Sequence, residues 1–425
     1  MSFDDLDLSP AVRKGIRDAG YTSPTPVQAA TLPHALDGID VVGVAQTGTG
    51  KTAAFVLPIL DYLERDPSEG KRRPIRALVV TPTRELAIQV EEAVQTYGAR
   101  TGLRSATIYG GVGKGKQRTA LRNGVDIVVA TPGRLLDFVG TGEIDLSEVD
   151  VLVLDEADRM FDMGFIRDIR RIVAEVPEQR QTMLFSATMP PAIQELSRSI
   201  LYKPETVEVG KRRDPAATVA QRAVHIAEDQ KQALLHHLLE VEDVDRVIVF
   251  SRTKYRADRI RKKLERAGFD AIAIHSNRSQ GQRQRALKGF ESGEYRILVA
   301  TDIAARGLDI DGVSHVINFD TPNIPEDYIH RIGRTGRAEA TGDAISFVSA
   351  AEQPHLRGIE KHTGARIEVV EFDGFDAPAL GAALSKAQPK ASRPTPRSGK
   401  PSGRRNTGRS PGKKRRSGGN SRRRG

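Results

Sequence analysis

The chain has 425 residues, 65 Lys and Arg against 55 Asp and Glu for a formal charge of +10, and no cysteine. That length exceeds one typical core and predicts two domains with extensions, while the missing thiols exclude disulfides and thiolate metal sites and fit a reducing compartment. No apolar run is long enough for a bilayer-spanning helix, and the start, MSFDDLDLSP, lacks the basic and apolar pattern of a signal sequence, so a soluble, cytoplasmic protein without a membrane partner is expected.

Strand-like apolar runs then alternate with helix-like segments. VVGVA, RALVV, DIVVA, VLVL and TMLF form a first set; RVIVF, AIAIH, RILVA, HVINF and AISFV form a second. This alternation predicts an α/β protein with two parallel-sheet domains. Between the sets, 207–224 is basic, contains Pro and is less regular. It places a first domain at 1–208, a linker at 209–219 and a second domain at 220–372. From 373 onward the pattern is lost. Residues from Lys386 to the end hold 15 Lys and Arg and no acid, which leaves 50 bases against 55 acids elsewhere. Rich in Ser, Pro, Gly and Arg, this tail cannot bury enough surface to offset its ordering entropy, and reads as a disordered basic arm that attracts phosphate backbones.

Polar signatures sit directly after the strands. The first, AQTGTGKT at 45–52, follows an apolar run and precedes an apolar helix-like stretch. Gly48 and Gly50 allow a tight turn whose N–H groups converge on phosphate oxygens, with Lys51 reaching the β and γ phosphates and the Thr52 hydroxyl on Mg²⁺. Ala45 stands where the strict pattern has Gly. About a hundred residues later VLVL ends in Asp155-Glu156-Ala157-Asp158. At the carboxyl edge of a parallel sheet, Asp155 suits Mg²⁺ held largely through water, and Glu156 suits an attacking water. The two motifs together describe a nucleoside triphosphatase. In open α/β sheets ligands bind at the carboxyl ends of the strands, so each domain offers one rim and two facing rims make a cleft.

In order, the chain holds GYTSPTPVQ (20–28), AQTGTGKT (45–52), PTRELA (82–87), GG (110–111), TPGR (131–134), DEAD (155–158), SAT (186–188), VIVFSRTK (247–254), SQGQR (279–283), TDIAARGLDI (301–310) and HRIGRTGR (330–337). From Phe3 to about Val370 it resembles the DEAD-box ATP-dependent RNA helicases, superfamily 2. Its short N-terminus and basic extension look most like the bacterial RhlE type. The resemblance implies two RecA-like domains that use ATP and Mg²⁺ to close on RNA, separate short duplexes and remodel ribonucleoprotein.

It also implies roles. Gln28 would read adenine, with Tyr21 and Phe3 shaping the base pocket, Ala45, Gln46, Thr47, Gly48, Thr49, Gly50, Lys51 and Thr52 around the phosphates, and Asp309 at the ribose. Arg334 and Arg337 would be arginine fingers beside the catalytic Lys51, Asp155 and Glu156. Pro82, Thr83, Arg84, Gly111, Thr131 and Arg134 on one rim, with Arg252, Gln280, Arg283 and Thr301 on the other, match positions that contact the RNA backbone, so little sequence preference is expected. Asp158, Ser186, Thr188 and His330 look like a set coupling nucleotide state to closure. His275 followed by Ser276 departs from the usual His-Gly; His236 and His237 match no motif and read as surface residues. A DNA translocase and a tail-driven RNA annealing protein are the rival readings. Ribosomal particles or an RNA-degradation complex are candidate partners of the tail.

Overall fold

Two seven-stranded parallel sheets repeat one strand order along the chain. The computed structural model describes residues 2–45, 48–68, 73–209, 219–242, 244–305, 312–336, 342–372 and 375. Gln46, Thr47, Asp309, Arg337, most of the expected linker and the basic tail lie outside the described residues.

In the first domain the strands are β1 (Val41–Val44), β2 (Ala77–Val80), β3 (Ser105–Ile108), β4 (Ile127–Ala130), β5 (Val151–Leu154), β6 (Gln181–Ser186) and β7 (Glu205–Glu208). They lie in the order β3-β4-β2-β5-β6-β1-β7. The helices are α1 (Pro10–Asp18), α2 (Pro26–Leu36), α3 (Lys51–Arg65), α4 (Arg84–Tyr97), α5 (Lys114–Arg122), α6 (Pro132–Val139), α7 (Ala157–Asp162), α8 (Ile166–Ala174) and α9 (Pro191–Ile200). The second domain has β8 (Val219–His225), β9 (Val247–Phe250), β10 (Ala271–Ile274), β11 (Ile297–Ala300), β12 (His315–Asn318), β13 (Gly342–Val348) and β14 (Glu368–Val369). Its order, β10-β11-β9-β12-β13-β8-β14, is the first sheet's order strand for strand. Its helices are α10 (Lys231–Val241), α11 (Lys254–Arg266), α12 (Gln280–Glu291), α13 (Asp302–Ala305), α14 (Pro325–Ile332) and α15 (Gln353–Thr363).

Central strands bury every residue: ALVV, IVVA and VLVL in the first sheet, VIVF, ILVA and HVIN in the second. Helices on both faces require that composition. Alternate residues of one strand feed opposite cores. Val151 and Val153 pack with Phe55 and Phe185, whereas Leu152 and Leu154 pack with Phe138 and Met160. Each of these fully buried side chains contributes roughly 1.5–3 kcal/mol of transfer free energy.

Strand order decides which motifs are neighbours. The loop after β1, the acids after β5 and SAT after β6 come together because β5, β6 and β1 are adjacent. PTREL after β2, GG after β3 and TPGR after β4 collect on the other half of the same rim. His236 and His237 correct one expectation. They are half-buried, packed on Phe269 and Phe375 at ring distances of 5.9 and 5.6 Å, and so fasten α10 to its neighbours. His275 is buried, with Nε2 3.2 Å from Asp258 Oδ2, and its carbonyl accepts the Arg278 N–H across the turn that Ser276 occupies.

Candidate active site

Helix α3 starts on Lys51, and Gly50 caps it with φ of 92°, a conformation that favours glycine. A Cβ at Gly50 would lie 2.5 Å from Gln28 Nε2. Gln28 in turn begins α2 within a capping box: its Oε1 accepts from the Thr25 N–H at 2.9 Å, and its Nε2 donates to the Gly50 carbonyl at 3.0 Å. A Gln amide has two N–H donors and two lone pairs, so one of each stays available for a base edge. The buried Lys51 Nζ donates to the Ala45 carbonyl at 2.8 Å, which holds the amine at the mouth of the loop. Tyr21 is exposed and meets Tyr97 edge-on at 5.7 Å, while Phe3 is buried in the core with α1, α3 and α4.

Asp155 and Glu156 end β5 beside this loop. Burial pushes the Asp155 carboxyl up to about 7, against the pull of Lys51 and with the push of Glu156. Burial acts on Glu156 the same way, but Arg159, Lys51 and Arg334 together win and hold it below the usual carboxylate range. Arg159, one turn along α7, salt-bridges Glu156 directly. Glu156 has φ of 52° and ψ of 53°, left-handed for a residue with a side chain, a conformation that costs on the order of 1–3 kcal/mol. Arg334 belongs to the other domain. It is buried, with Nε donating to the His330 carbonyl at 3.3 Å, and its charge reaches Glu156 across the cleft.

The coupling residues of the first domain form one closed network. The Asp158 N–H donates to Ser186 Oγ at 3.1 Å, Ser186 Oγ donates to the Thr188 carbonyl at 2.7 Å, and Asp158 Oδ2 accepts both the Thr188 N–H and hydroxyl at 2.8 Å. His330 sits in the last turn of α14 on the second domain. That helix is anchored by Arg331, three residues before Arg334. Its guanidinium is bidentate on Asp302 at 2.6 and 2.8 Å and bonds Asn318 and the Asp320 carbonyl.

On the other half of the rim Thr83 caps α4, and Arg84 lies against Gly111, where a Cβ would come within 2.0 Å of the guanidinium. Arg134 donates to the Val112 carbonyl at 3.3 Å, and Thr131 precedes α6. In the second domain Arg252 is tethered to Glu352 at 2.9 Å, and Glu352 pairs at 2.5 Å with the fully buried Lys231. Thr301 is buried where β11 ends. Gln280 and Arg283 differ from expectation. Both are buried, donating to Glu85 Oε1 of the first domain at 3.1 and 2.7 Å, so they bridge the two domains where phosphate contact was expected. Glu85 lies inside PTREL, where the sequence gives no signal of this role. Arg159, Arg331, Lys231 and Glu352 also carry no signal in the sequence, except that Arg159 follows Glu156 at a spacing of three, which one helical turn brings together.

A DEAD/DEAH box helicase family model matches residues 25–196, and a helicase conserved C-terminal domain model matches 230–339. The chain is 42% identical over 387 residues to a DEAD-box ATP-dependent RNA helicase CshA of Bacillus cereus, covering 91% of this chain and 72% of that one. It is 48% identical over 363 residues to the ATP-dependent RNA helicase DeaD of Mycobacterium tuberculosis, covering 85% and 63%. Among solved structures, S. cerevisiae Dbp5 bound to RNA and ADP BeF3 superposes with a TM-score of 0.76 at 31% identity, over 91% of this chain and 98% of that one.

Proposed function

Since the chain belongs to the DEAD-box ATP-dependent RNA helicases, and is an RNA-dependent ATPase on two RecA-like domains, we propose that it closes its two domains on ATP and RNA together, separates short duplexes locally and remodels ribonucleoprotein. The observation that carries this reading is Arg334: a second-domain arginine buried within the field of Glu156, the acid suited to the attacking water. Each domain alone lacks half of the hydrolytic constellation.

In this scheme the N–H groups of the glycine loop and Lys51 hold the phosphates of ATP. Glu156, ionised and clamped by Arg159, accepts a proton from water and directs it in line with the terminal phosphoryl group. Arg334, with Arg337, balances the charge that spreads over the phosphoryl oxygens. The described residues include no cluster of three or more acids or histidines arranged for a metal. A Mg²⁺ ion would therefore take few protein oxygens, from Asp155 and Thr52, and complete its shell with phosphate and water. When bound it neutralises phosphate charge. RNA lies along Arg84, Gly111, Arg134 and Arg252, and closure bends the strand. Because ATP and RNA both favour the closed state, each raises the other's affinity. The Asp158, Ser186 and Thr188 network relays the nucleotide state to closure, and loss of phosphate reopens the cleft. The 15 basic residues of the tail add affinity for RNA or ribonucleoprotein. Among the described residues no helix is long and apolar enough to cross a membrane.

In the Glu156→Gln variant RNA-stimulated turnover falls by roughly 10² or more while ATP and RNA still bind. Hydrolysis that RNA leaves unchanged in the parent chain, or that a matched DNA strand stimulates equally, would refute the scheme.

A further inference from the structure

Helix α11 carries seven Lys and Arg in 13 residues, and they divide by direction. On the side facing the domain, Arg256 is paired with Glu228 and with Asp320 at 2.9 Å, Arg261 with Glu265, and Lys254 donates to Asn277 at 2.8 Å. Tyr255, Arg259, Lys262 and Arg266 follow one another at spacings of four, three and four, which places them on a single stripe. All four are exposed, Tyr255 at 71%. Among the described residues Arg259, Lys262 and Arg266 have no hydrogen bond or ion pair. Of the nearby acids, Glu265 is engaged by Arg261 and Asp258 by Arg278 and His275, while Asp229 shares a hollow with Lys263 and Arg266.

The stripe has a beginning and a direction. Thr253 caps α11 immediately after β9, next to Arg252, so Tyr255 stands at the rim where RNA is expected and Arg266 at the far end. From Tyr255 to Arg266 the helix spans about 16 Å at 1.5 Å per residue. At about 3.4 Å per nucleotide along a stacked strand, that is roughly five nucleotides. Beside the far end a shallow hollow between α10 and α11 is lined by Gln232, His236, Lys263 and Arg266. An exposed aromatic followed by unpaired cations at phosphate-scale intervals is the arrangement that tracks single-stranded nucleic acid without reading its sequence.

We propose that the outer face of α11 is a second RNA track, which takes about five nucleotides of single strand leaving the cleft, stacks the first base on Tyr255 and pairs its phosphates with Arg259, Lys262 and Arg266. This inference rests on the RNA reading above and goes beyond it. The track lies outside the cleft and is not needed for hydrolysis. It lengthens the footprint on one side and gives the enzyme a preference for RNA with a single-stranded extension.

The test uses the full chain, a nonhydrolysable ATP analogue and two single-stranded RNAs: one just long enough to fill the cleft and one about ten nucleotides longer. In the R259Q/K262Q/R266Q variant the affinity for the long strand falls by roughly an order of magnitude, and the slope of log K against log salt falls by about 2, as expected for three phosphates at about 0.7 each. Tyr255→Ala lowers long-strand affinity about tenfold by itself, in the range seen for single stacked bases. In both variants short-strand affinity and the ATPase rate saturated with short RNA are unchanged, since these side chains point into solvent. Equal weakening of both strands, or of neither, overturns the proposal. So does a long-strand advantage that survives the substitutions and vanishes only when residues 376–425 are removed, because it then belongs to the tail. Should the short strand fail to stimulate the parent enzyme, the RNA reading itself falls, a separate outcome.

Discussion

Replacing Arg283 tests the contact that joins the domains. Glu85 and Arg283 are both nearly buried, with side-chain exposures of 7% and 9%, and Arg283 Nε donates to Glu85 Oε1 at 2.7 Å while Gln280 adds a second bond at 3.1 Å. In a fixed structure, removing one partner of a buried ion pair costs about 3–5 kcal/mol. Here the cleft can open and let water reach Glu85, so the loss is capped near the worth of a charged hydrogen bond, about 1.5–3 kcal/mol. Closure in Arg283→Gln should therefore weaken by roughly 10- to 150-fold. Because the chain has no cysteine, one introduced in each domain accepts a donor and acceptor dye, and energy transfer against RNA concentration gives the closing midpoint. Glu85→Gln should shift that midpoint similarly, and the double variant no further than the worse single, since residues in direct contact are not additive. Exchanging the charges, Glu85→Arg with Arg283→Glu, should recover part of the closure. If the single effects add and the exchange recovers nothing, Arg283 acts on RNA by itself and the bridging argument is wrong. The pH dependence has a definite sign. Burial alone would raise Glu85, but Arg283 holds it below its ordinary value, so the closing contribution is complete above the ordinary carboxylate range and is lost as pH falls through the depressed value.

Three further outcomes follow from close contacts and buried acids. Gly111→Ala forces a Cβ within 2.0 Å of the Arg84 guanidinium at φ of 79°, so the KM for RNA in the ATPase assay should rise about tenfold with kcat at saturation retained. Glu91 is buried and raised by that burial, against bonds from Ser105 and Gln95, and its Oε2 has no partner among the described residues. A carboxyl whose folded value is raised loses stability as pH climbs from its unfolded value through the folded one, so Glu91→Gln should melt about 2–4 °C higher at neutral pH and show no gain in acid. Glu352→Gln leaves Lys231 without its closest partner, and thermal unfolding should show the second domain weakened by about 3 kcal/mol, with RNA affinity reduced through the loosened Arg252.

What the sequence disclosed follows burial. Ten strands announced themselves as continuous apolar runs because helices cover both faces of the sheets. The four that did not, β3, β7, β8 and β14, lie at or next to a sheet edge. SATI alternates between half-buried and buried positions, and ETVE buries only Val207. The end of β7 and all of β8 but His225 fell inside the irregular stretch 207–224 for this reason. The motifs were legible since each is a short string at a strand end. Glu85 with Arg283 and Lys231 with Glu352 were not, because their partners lie 198 and 121 positions apart and only the folded chain brings them together.

The repeated strand order has one more consequence. β8 takes the place in the second sheet that β1 takes in the first, and each is followed by a helix whose first residue is a buried lysine: Lys51 in α3, Lys231 in α10. Between β8 and α10 the chain reads IAEDQ, with no glycine to wrap an anion. The carboxylate of Glu352 fills the seat instead. One module therefore waits for a negative charge to arrive and leave, whereas its twin carries that charge permanently in its own chain. In the proposed scheme the first copy alone seats the phosphates, and the second meets them only through Arg334 and Arg337.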